Sequence, residues 1–349
     1  MTPFKIIYGI QQVGIGVRDA DAAFEWYAKV LGADMLVFDD RKMATHMAKY
    51  MGGEAHQKRA LLAMHPNGGS GYEIWQYQDR EPQGLTDSLR PGDLGVNFIT
   101  LKTYDIAASY AHLQRHQTEI LTRPASTPDG EQSFFFKDPY GNLIQLKGGN
   151  NSWFTQRYGP LGGIQGVGIG VSDIDQAKAL YADILGYSLV VCDEIVPLAG
   201  YTDRVRRVLL RMPAYPQGGF SELLGSSEIE LLQCLDRTPN RIFADRYWGD
   251  LGYIHVCFDT KNIHTLIAEC ERKGFPFQVK SEATFEMGDT NGRWGYLEDA
   301  DGSLVEFVEA QRVPLVKRFN WRIDLRQRDP HQPLSRWLLR AMRLKRVKF

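Results

Sequence analysis

The chain has 349 residues, of which 43% are hydrophobic and 24% charged. That length suits two domains of roughly 100–200 residues, and the composition excludes a disordered chain, a disulfide miniprotein and a membrane-embedded class. The net charge of −1 conceals an uneven distribution, because residues 311–349 hold 12 Lys and Arg against 2 Asp and Glu, leaving 29 against 40 in the rest.

In chain order, Ile10–Val17 reads as a strand, and Asp19–Val30 as a helix with Ala22, Phe24, Tyr27 and Val30 apolar, ended by Gly32. Strands at Met35–Phe38, Arg59–Met64 and Tyr72–Tyr77 follow. Gly95–Lys102 is a second opening strand, Tyr104–Arg115 a helix, and Gln132–Phe136 with Leu143–Lys147 a hairpin turned at Tyr140-Gly141. The second half repeats the scheme as Ile164–Val171, a helix at Asp175–Leu185, Glu228–Cys234, Gly252–Asp259, a helix at Ile263–Lys273, Trp294–Leu297 and Leu304–Val308. Finally, Leu334, Trp337, Leu338, Ala341 and Met342 follow helical spacing, surrounded by Arg336, Arg340, Arg343, Lys345 and Arg346. A basic amphipathic helix suits a membrane surface or a nucleic acid. Docking on the acidic body of its own chain, or of a second subunit in a homodimer, explains it more simply.

The repetition extends to the residues themselves. Val13-Gly14-Ile15-Gly16-Val17 recurs as Val167-Gly168-Ile169-Gly170-Val171, Leu31-Gly32 as Leu185-Gly186, and Gly92-Asp93-Leu94-Gly95 as Gly249-Asp250-Leu251-Gly252. Asp138-Pro139-Tyr140-Gly141 is echoed by Asp299-Ala300-Asp301-Gly302. The order is kept while the spacing drifts, as loop insertions in a duplicated domain would produce. The expected architecture is α+β, with four βαβββ units at 5–78, 92–149, 160–235 and 249–310. These make two modules, 5–149 and 160–310, followed by a basic helical extension over 311–349.

Alternation along a strand shows what each sheet face carries. Val13, Ile15 and Val17 face one way, while Gln12, Gly14 and Gly16 face the other. Ile254, Val256 and Phe258 are expected opposite His255 and Cys257. Glu73 points with Trp75 and Tyr77, Glu230 with Leu232, and Leu304 with Glu306. Each is a lone polar group in an apolar strand.

At these residues the chain resembles the vicinal oxygen chelate superfamily of glyoxalases, bleomycin-resistance proteins and extradiol dioxygenases, over residues 5–309 and in a tandem duplicated form. The resemblance implies paired units whose curved sheets wrap a divalent ion, with ligands on the first and last strand of each unit. The corresponding positions are Gln12 and Glu73, Phe98 and Gln145, Gly166 and Glu230, and His255 and Glu306. If the first unit shares a site with the fourth, the ligand set Gln12, Glu73, His255 and Glu306 is complete. If each half closes on itself, the second half offers Glu230, His255 and Glu306, with Glu230 as the alternative ligand and Gly166 leaving a gap.

A cation at the centre explains several carboxylate strands meeting a histidine strand, since an unpaired buried carboxylate costs several kcal/mol, roughly. The resemblance implies one divalent ion (Zn, Ni, Co, Mn or Fe) and an isomerase, epimerase or lyase that works through a metal-stabilised enolate on a small substrate with adjacent oxygens. Glu306 is the first candidate base and Glu73 the second, and Trp75, Tyr77 and Phe98 are expected to bind substrate. Similar glyoxalases carry glutathione-binding Arg and Asn residues where Gly16, Tyr77 and Leu251 stand here, which points away from glutathione. An Fe(II) dioxygenase needs a second histidine where Gly166 lies, and a non-catalytic small-molecule-binding protein is the remaining alternative.

His46, His56 and His65 lie in an irregular stretch and are expected at the surface, His46 beside a pocket. Gly14-x-Gly16 lies within a strand without a third glycine, and GxxxxGK[ST] and GxSxG are absent, so nucleotide and serine-hydrolase signatures are excluded. Cys192, Cys234, Cys257 and Cys270 form no CxxC pair and are expected as reduced, buried thiols. No apolar run reaches ~18–20 residues and Met1–Tyr8 lacks a signal-peptide pattern, so a cytoplasmic location is expected.

Overall fold

The structure is a computed structural model, and it describes residues 4–149, 153–215, 217–281, 285–287, 290–316 and 321–349. The first unit comprises β1 (Ile6–Gly16), α1 (Ala20–Leu31), β2 (Met35–Met43), β3 (Gln57–Met64) and β4 (Gly71–Tyr77). The second has β5 (Gly95–Thr103), α2 (Ile106–Arg115), the short β6 (Glu119–Ile120) and β7 (Ala125–Ser126), β8 (Gln132–Lys137) and β9 (Leu143–Gly148). The third has β10 (Leu161–Gly170), α3 (Ile174–Tyr181), β11 (Leu189–Pro197), β12 (Arg204–Arg211), α4 (Ser221–Leu224) and β13 (Glu228–Cys234). The fourth has β14 (Gly252–Lys261), α5 (Ile263–Arg272), β15 (Phe277–Lys280), β16 (Phe285–Met287), β17 (Thr290–Glu298) and β18 (Leu304–Val316), followed by β19 (Trp321–Asp324) and α6 (Arg336–Ala341).

Aspartate caps start α1, α2 and α3. Asp19 and Asp173 cap α1 and α3 by accepting from the second and third backbone N–H groups beyond them, and Asp105 caps α2. α5 lacks such a cap, and Glu309 instead accepts from Ile263 N at 3.1 Å. Tyr27 donates to Asp138 at 2.7 Å and Tyr181 to Asp299 at 2.9 Å, both buried. The same bond thus ties the first unit to the second and the third to the fourth.

The described strands form two mixed sheets, and these cross the division between the sequence halves. One runs β15-β17-β18-β14-β1-β4-β3-β2 and joins the fourth unit to the first. The other runs β11-β12-β13-β10-β5-β9-β8-β6 and joins the third unit to the second. The seams are antiparallel, β1 on β14 and β10 on β5. Val13, Ile15 and Val17 share a continuous core with Val167, Ile169 and the buried faces of the helices, while the opposite strand faces line two hollows.

One parity expectation fails. The β1–β14 register shifts between Gly14, opposite His255, and Ile15, opposite Tyr253, leaving Ile254 as the extra residue of a bulge. Tyr253 therefore joins Val256 and Phe258 in the main core, and Ile254 packs with Trp248 inside the hollow. β11 and β12 were not foreseen because their charged residues, such as Asp193, Arg204 and Arg206, mask any apolar alternation. β18 also outruns its expected end at Val308, continuing through Val316 into the basic extension.

The basic extension docks on its own chain. Leu334 and Leu339 are buried and Leu338 and Met342 pack with Met35, Met64, Phe154 and Leu223. Arg336 pairs with Glu222 at 2.6 Å and Arg346 with Asp34 at 2.6 Å. Trp337, expected on the apolar stripe, is instead 67% exposed. Cys257 and Cys270 are buried, whereas Cys192 and Cys234 are only half-buried, and all four are free thiols. Among the described residues no helix is long and apolar enough to cross a membrane.

Candidate functional site

The hollow of the first-with-fourth sheet gathers ionisable side chains from three of its strands, two on one side of β1 and one on the other. β4 supplies Glu73, β14 supplies His255 and β18 supplies Glu306, each from the face opposite the apolar core. His255 Nε2 lies 3.2 Å from Glu73 Oε2 and 3.0 Å from Glu306 Oε2. The three residues are 4%, 0% and 5% exposed for Glu73, His255 and Glu306. Gln12, on β1 opposite Cys257, is also buried, and its amide adjoins Glu73.

Two forces compete for the charge of these groups. Burial disfavours the imidazolium, but Glu306 and Glu73 outweigh it and hold the His255 pKa up to about 9. Burial likewise works against the Glu73 carboxylate, and His255, Lys58 and Gln12 together bring its pKa below the ordinary value.

The geometry leaves hydrogen-bonding capacity unused. Although His255 Nε2 lies within ion-pair distance of both carboxylates, these contacts are not aligned as hydrogen bonds, and among the described residues Glu73 Oε2, Glu306 Oε2, both ring nitrogens of His255 and the side-chain nitrogen of Gln12 are buried and make no well-aligned hydrogen bond. Buried polar atoms are seldom left so, and convergent orphans call for a missing partner. Donors bound at ~2.1 Å to one octahedral ion sit roughly 3 Å apart along each edge, which is the spacing of the His255 contacts. One ligand atom from each of Glu73, His255 and Glu306 falls within 4.8 Å of the others. An imidazole nitrogen, two carboxylates and an amide therefore fit a divalent cation, with Gln12 turning its oxygen inward.

Glycine makes room for the imidazole. A Cβ on Gly14 would lie 2.4 Å from His255 Cε1 and 2.6 Å from Nδ1. Trp248 stacks near-parallel to the ring at 6.2 Å and Tyr296 meets it edge-on at 5.3 Å, so the ring has little freedom to move aside.

A cavity of about 340 Å³ opens onto Glu73 and Glu306, lined by Lys42, Lys58, His46, Met43, Met47, Trp248, Trp294 and Tyr296. His46 thus stands where expected. His56 is half-buried and 3.3 Å from Asp79, while His65, expected at the surface, is fully buried. Its Nδ1 accepts from Asn67 N at 2.9 Å and burial drives its pKa down to about 3.

The expected substrate contacts fall elsewhere. Trp75 and Tyr77 pack behind Trp248, to which Tyr77 donates through its hydroxyl at 2.5 Å. Phe98 lies in the other sheet, because its strand pairs with the third unit. Trp248, Trp294, Tyr296 and Lys58 take the lining positions instead. Trp294 and Tyr296 alternate with Gly295 and Leu297 in a strand already recognised, so their parity was a usable signal. Trp248 lies in a loop and offered none.

The second hollow repeats the scheme with different chemistry. Phe98 occupies the place of His255, its ring 2.3 Å from where a Cβ on Gly168 would lie. Glu230, the alternative ligand, accepts from Arg207 Nε at 2.6 Å and belongs to this second sheet, away from His255 and Glu306. Lys147 Nζ reaches Asp129 at 2.7 Å and Glu228 at 2.9 Å. Arginine and lysine here neutralise the buried carboxylates.

Both halves of the chain match one family model description, Glyoxalase/Bleomycin resistance protein/Dioxygenase superfamily, over residues 9–146 and 165–291. No curated protein matches the chain. Among solved structures, a putative dioxygenase from Bacillus subtilis aligns with a TM-score of 0.59 at 16% identity, covering 88% of this chain and 86% of its own. Glyoxalase I from Zea mays aligns with a TM-score of 0.51 at 14% identity, covering 88% and 92%. These two likenesses are of fold. From the two family matches together, the chain belongs to the glyoxalase/bleomycin resistance protein/dioxygenase superfamily.

Proposed function

We propose that the chain is a divalent-metal-dependent isomerase, epimerase or lyase acting on a small substrate with two adjacent oxygens. The convergence of Glu73, His255 and Glu306, buried and carrying orphaned ligand atoms, is the observation that supports it. Gln12 completes the donor set. A bound divalent ion would supply Lewis-acid polarisation of the two substrate oxygens.

The remaining steps fall to the chain's own groups. Glu306 and Glu73 both border the cavity, so either carboxylate can reach a substrate seated there. Glu306 is assigned as the base that accepts the proton from the carbon beside the oxygens, the C–H electron pair passing toward the oxygens. Returning the proton to the neighbouring carbon or the opposite face gives the isomer or epimer. Trp248, Trp294 and Tyr296 supply the apolar wall beside the acidic carbon. Gly16, Tyr77 and Leu251 stand where similar glyoxalases carry glutathione-binding Arg and Asn, which favours a substrate other than a glutathione adduct.

Elemental analysis of the purified full chain tests the metal reading, with one divalent ion per chain expected. Proton exchange from D2O into hydroxy-ketones and 2-oxo acids, lost on chelation, tests the chemistry. Failure to hold Zn, Ni, Co, Mn or Fe would sink the proposal, and oxygen consumption with Fe(II) in place of exchange would favour the dioxygenase alternative.

Glycine 14 offers a second check. Gly14→Ala forces its Cβ against a wedged imidazole, and overpacking of this kind costs ~1–3 kcal/mol. It should lower the melting temperature and the bound metal together. Gly168→Ala, against Phe98, should lower the melting temperature by a similar amount and leave metal content at the wild-type level.

A further inference from the structure

A second, smaller cavity reaches the donor set at Gln12, and Lys58 is not part of its lining. It is mostly apolar, with a volume of about 120 Å³, lined by Phe38, Leu62, Leu224, Trp294 and Met342, with Gln12 and Arg293 among its polar members. Trp294 borders both cavities. Gln12 both adjoins Glu73 and lines the apolar cavity, so the small cavity meets the candidate ligands through Gln12 as well as sharing Trp294 with the larger one.

Its far wall comes from outside the sheet that carries the ligands. Leu224 belongs to α4 of the third unit, and Met342 belongs to the basic extension. Arg336–Glu222 and Arg346–Asp34 pairs flank Met342, and Lys345 Nζ donates to Val37 O at 3.0 Å, which fixes that wall in place. In the larger cavity Lys58 offers a cation beside Glu73. A ligand spanning both spaces meets Lys58 at one end and, at the other, a wall that is mostly hydrocarbon although it includes Arg293. A dry apolar cavity of roughly 150 Å³ accepts benzene, so one of this size accommodates about four to six carbon atoms.

We infer that the substrate is an amphipathic acid. Its carboxylate lies toward Lys58, its adjacent oxygens meet the donor set, and an apolar arm of about four to six carbons fills the small cavity, its length limited by Met342 of the C-terminal extension. This rests on the metal reading above for the head group, whereas the arm rests on the cavity alone.

The test is calorimetric binding of straight-chain 2-oxo acids of three to ten carbons to the full chain, with and without Mn(II). Affinity should rise roughly fourfold per methylene, as burial of hydrocarbon predicts, and level off at about six to eight carbons. The break should move to shorter acids in Met342→Trp and to longer ones in Met342→Ala, each checked by its melting curve. Affinity independent of chain length in Mn(II)-loaded protein overturns the arm while leaving the metal reading standing. Chain-length dependence that is the same without Mn(II) supports the arm and removes the metal from head-group binding. A break that does not move with residue 342 overturns the role of the extension, and absence of binding by every acid overturns the amphipathic-acid inference, while the metal reading stands or falls on elemental analysis.

Discussion

His255→Ala is expected to abolish stoichiometric metal binding. Changes in the outer-shell partners of metal ligands cost ~10–100-fold in affinity, so loss of the only imidazole in the set should cost at least ~100-fold. A ligand that binds only the folded state stabilises it by ~2.7 kcal/mol at 100 times its Kd. The wild-type protein should therefore gain several degrees of melting temperature when Zn(II) or Mn(II) is added, and the variant should gain none. The metal-free proteins should also differ. Without the imidazolium, the buried Glu73 and Glu306 lose the counter-ion they share, so the metal-free variant should melt below the metal-free wild type. Retention of one ion per chain by His255→Ala would remove His255 from the site.

Arg207→Met is expected to be the most destabilising change in the second hollow. Arg207 is buried, with Nε 2.6 Å from Glu230 Oε2 and Nη1 3.3 Å from Glu194 Oε1. Burial works against its charge, but the neighbouring carboxylates, Glu230 foremost, keep it protonated. Removing one partner of a buried pair leaves an uncompensated charge, at a cost of ~3–5 kcal/mol, whereas replacing both with apolar groups is often neutral. Arg207→Met should thus show a large fall in denaturation midpoint, and Arg207→Met/Glu230→Leu should recover most of it. Metal content should stay at the wild-type level in the double variant, because both residues lie outside the first-with-fourth sheet. A double variant as unstable as the single one would show that the pair contributes more than mutual neutralisation.

Much of this was legible in the sequence because it rests on strand parity. The repeated Val-Gly-Ile-Gly-Val segments set the inner and outer faces of β1 and β10, and lone Glu73, Glu230 and Glu306 stood out against apolar neighbours. Which units share a sheet was left between two readings, since pairing across the seam depends on long-range register that no local pattern encodes. The structure brings Glu73 together with His255 and Glu306 and sends Glu230 to Arg207. The misplaced residues have particular causes. A single bulge reversed Ile254, a loop tryptophan took the place expected of Trp75 and Tyr77, and the assignment of Phe98 to the substrate pocket did not allow for its sheet. His65 looked superficial because its surroundings are irregular, yet Asn67 and burial hold it inside.

The seam between β1 and β14 also sets a timetable. Gln11 and Cys257 touch across it although 246 residues separate them in sequence. At a synthesis rate of ~5–20 residues per second, β1 waits roughly 10–50 s on the ribosome for its neighbour. During that interval an apolar, hydrogen-bond-hungry strand edge is open to strangers, so yield in a fast-translating host should be limited by nascent-chain aggregation and improve with slower elongation or chaperone supply.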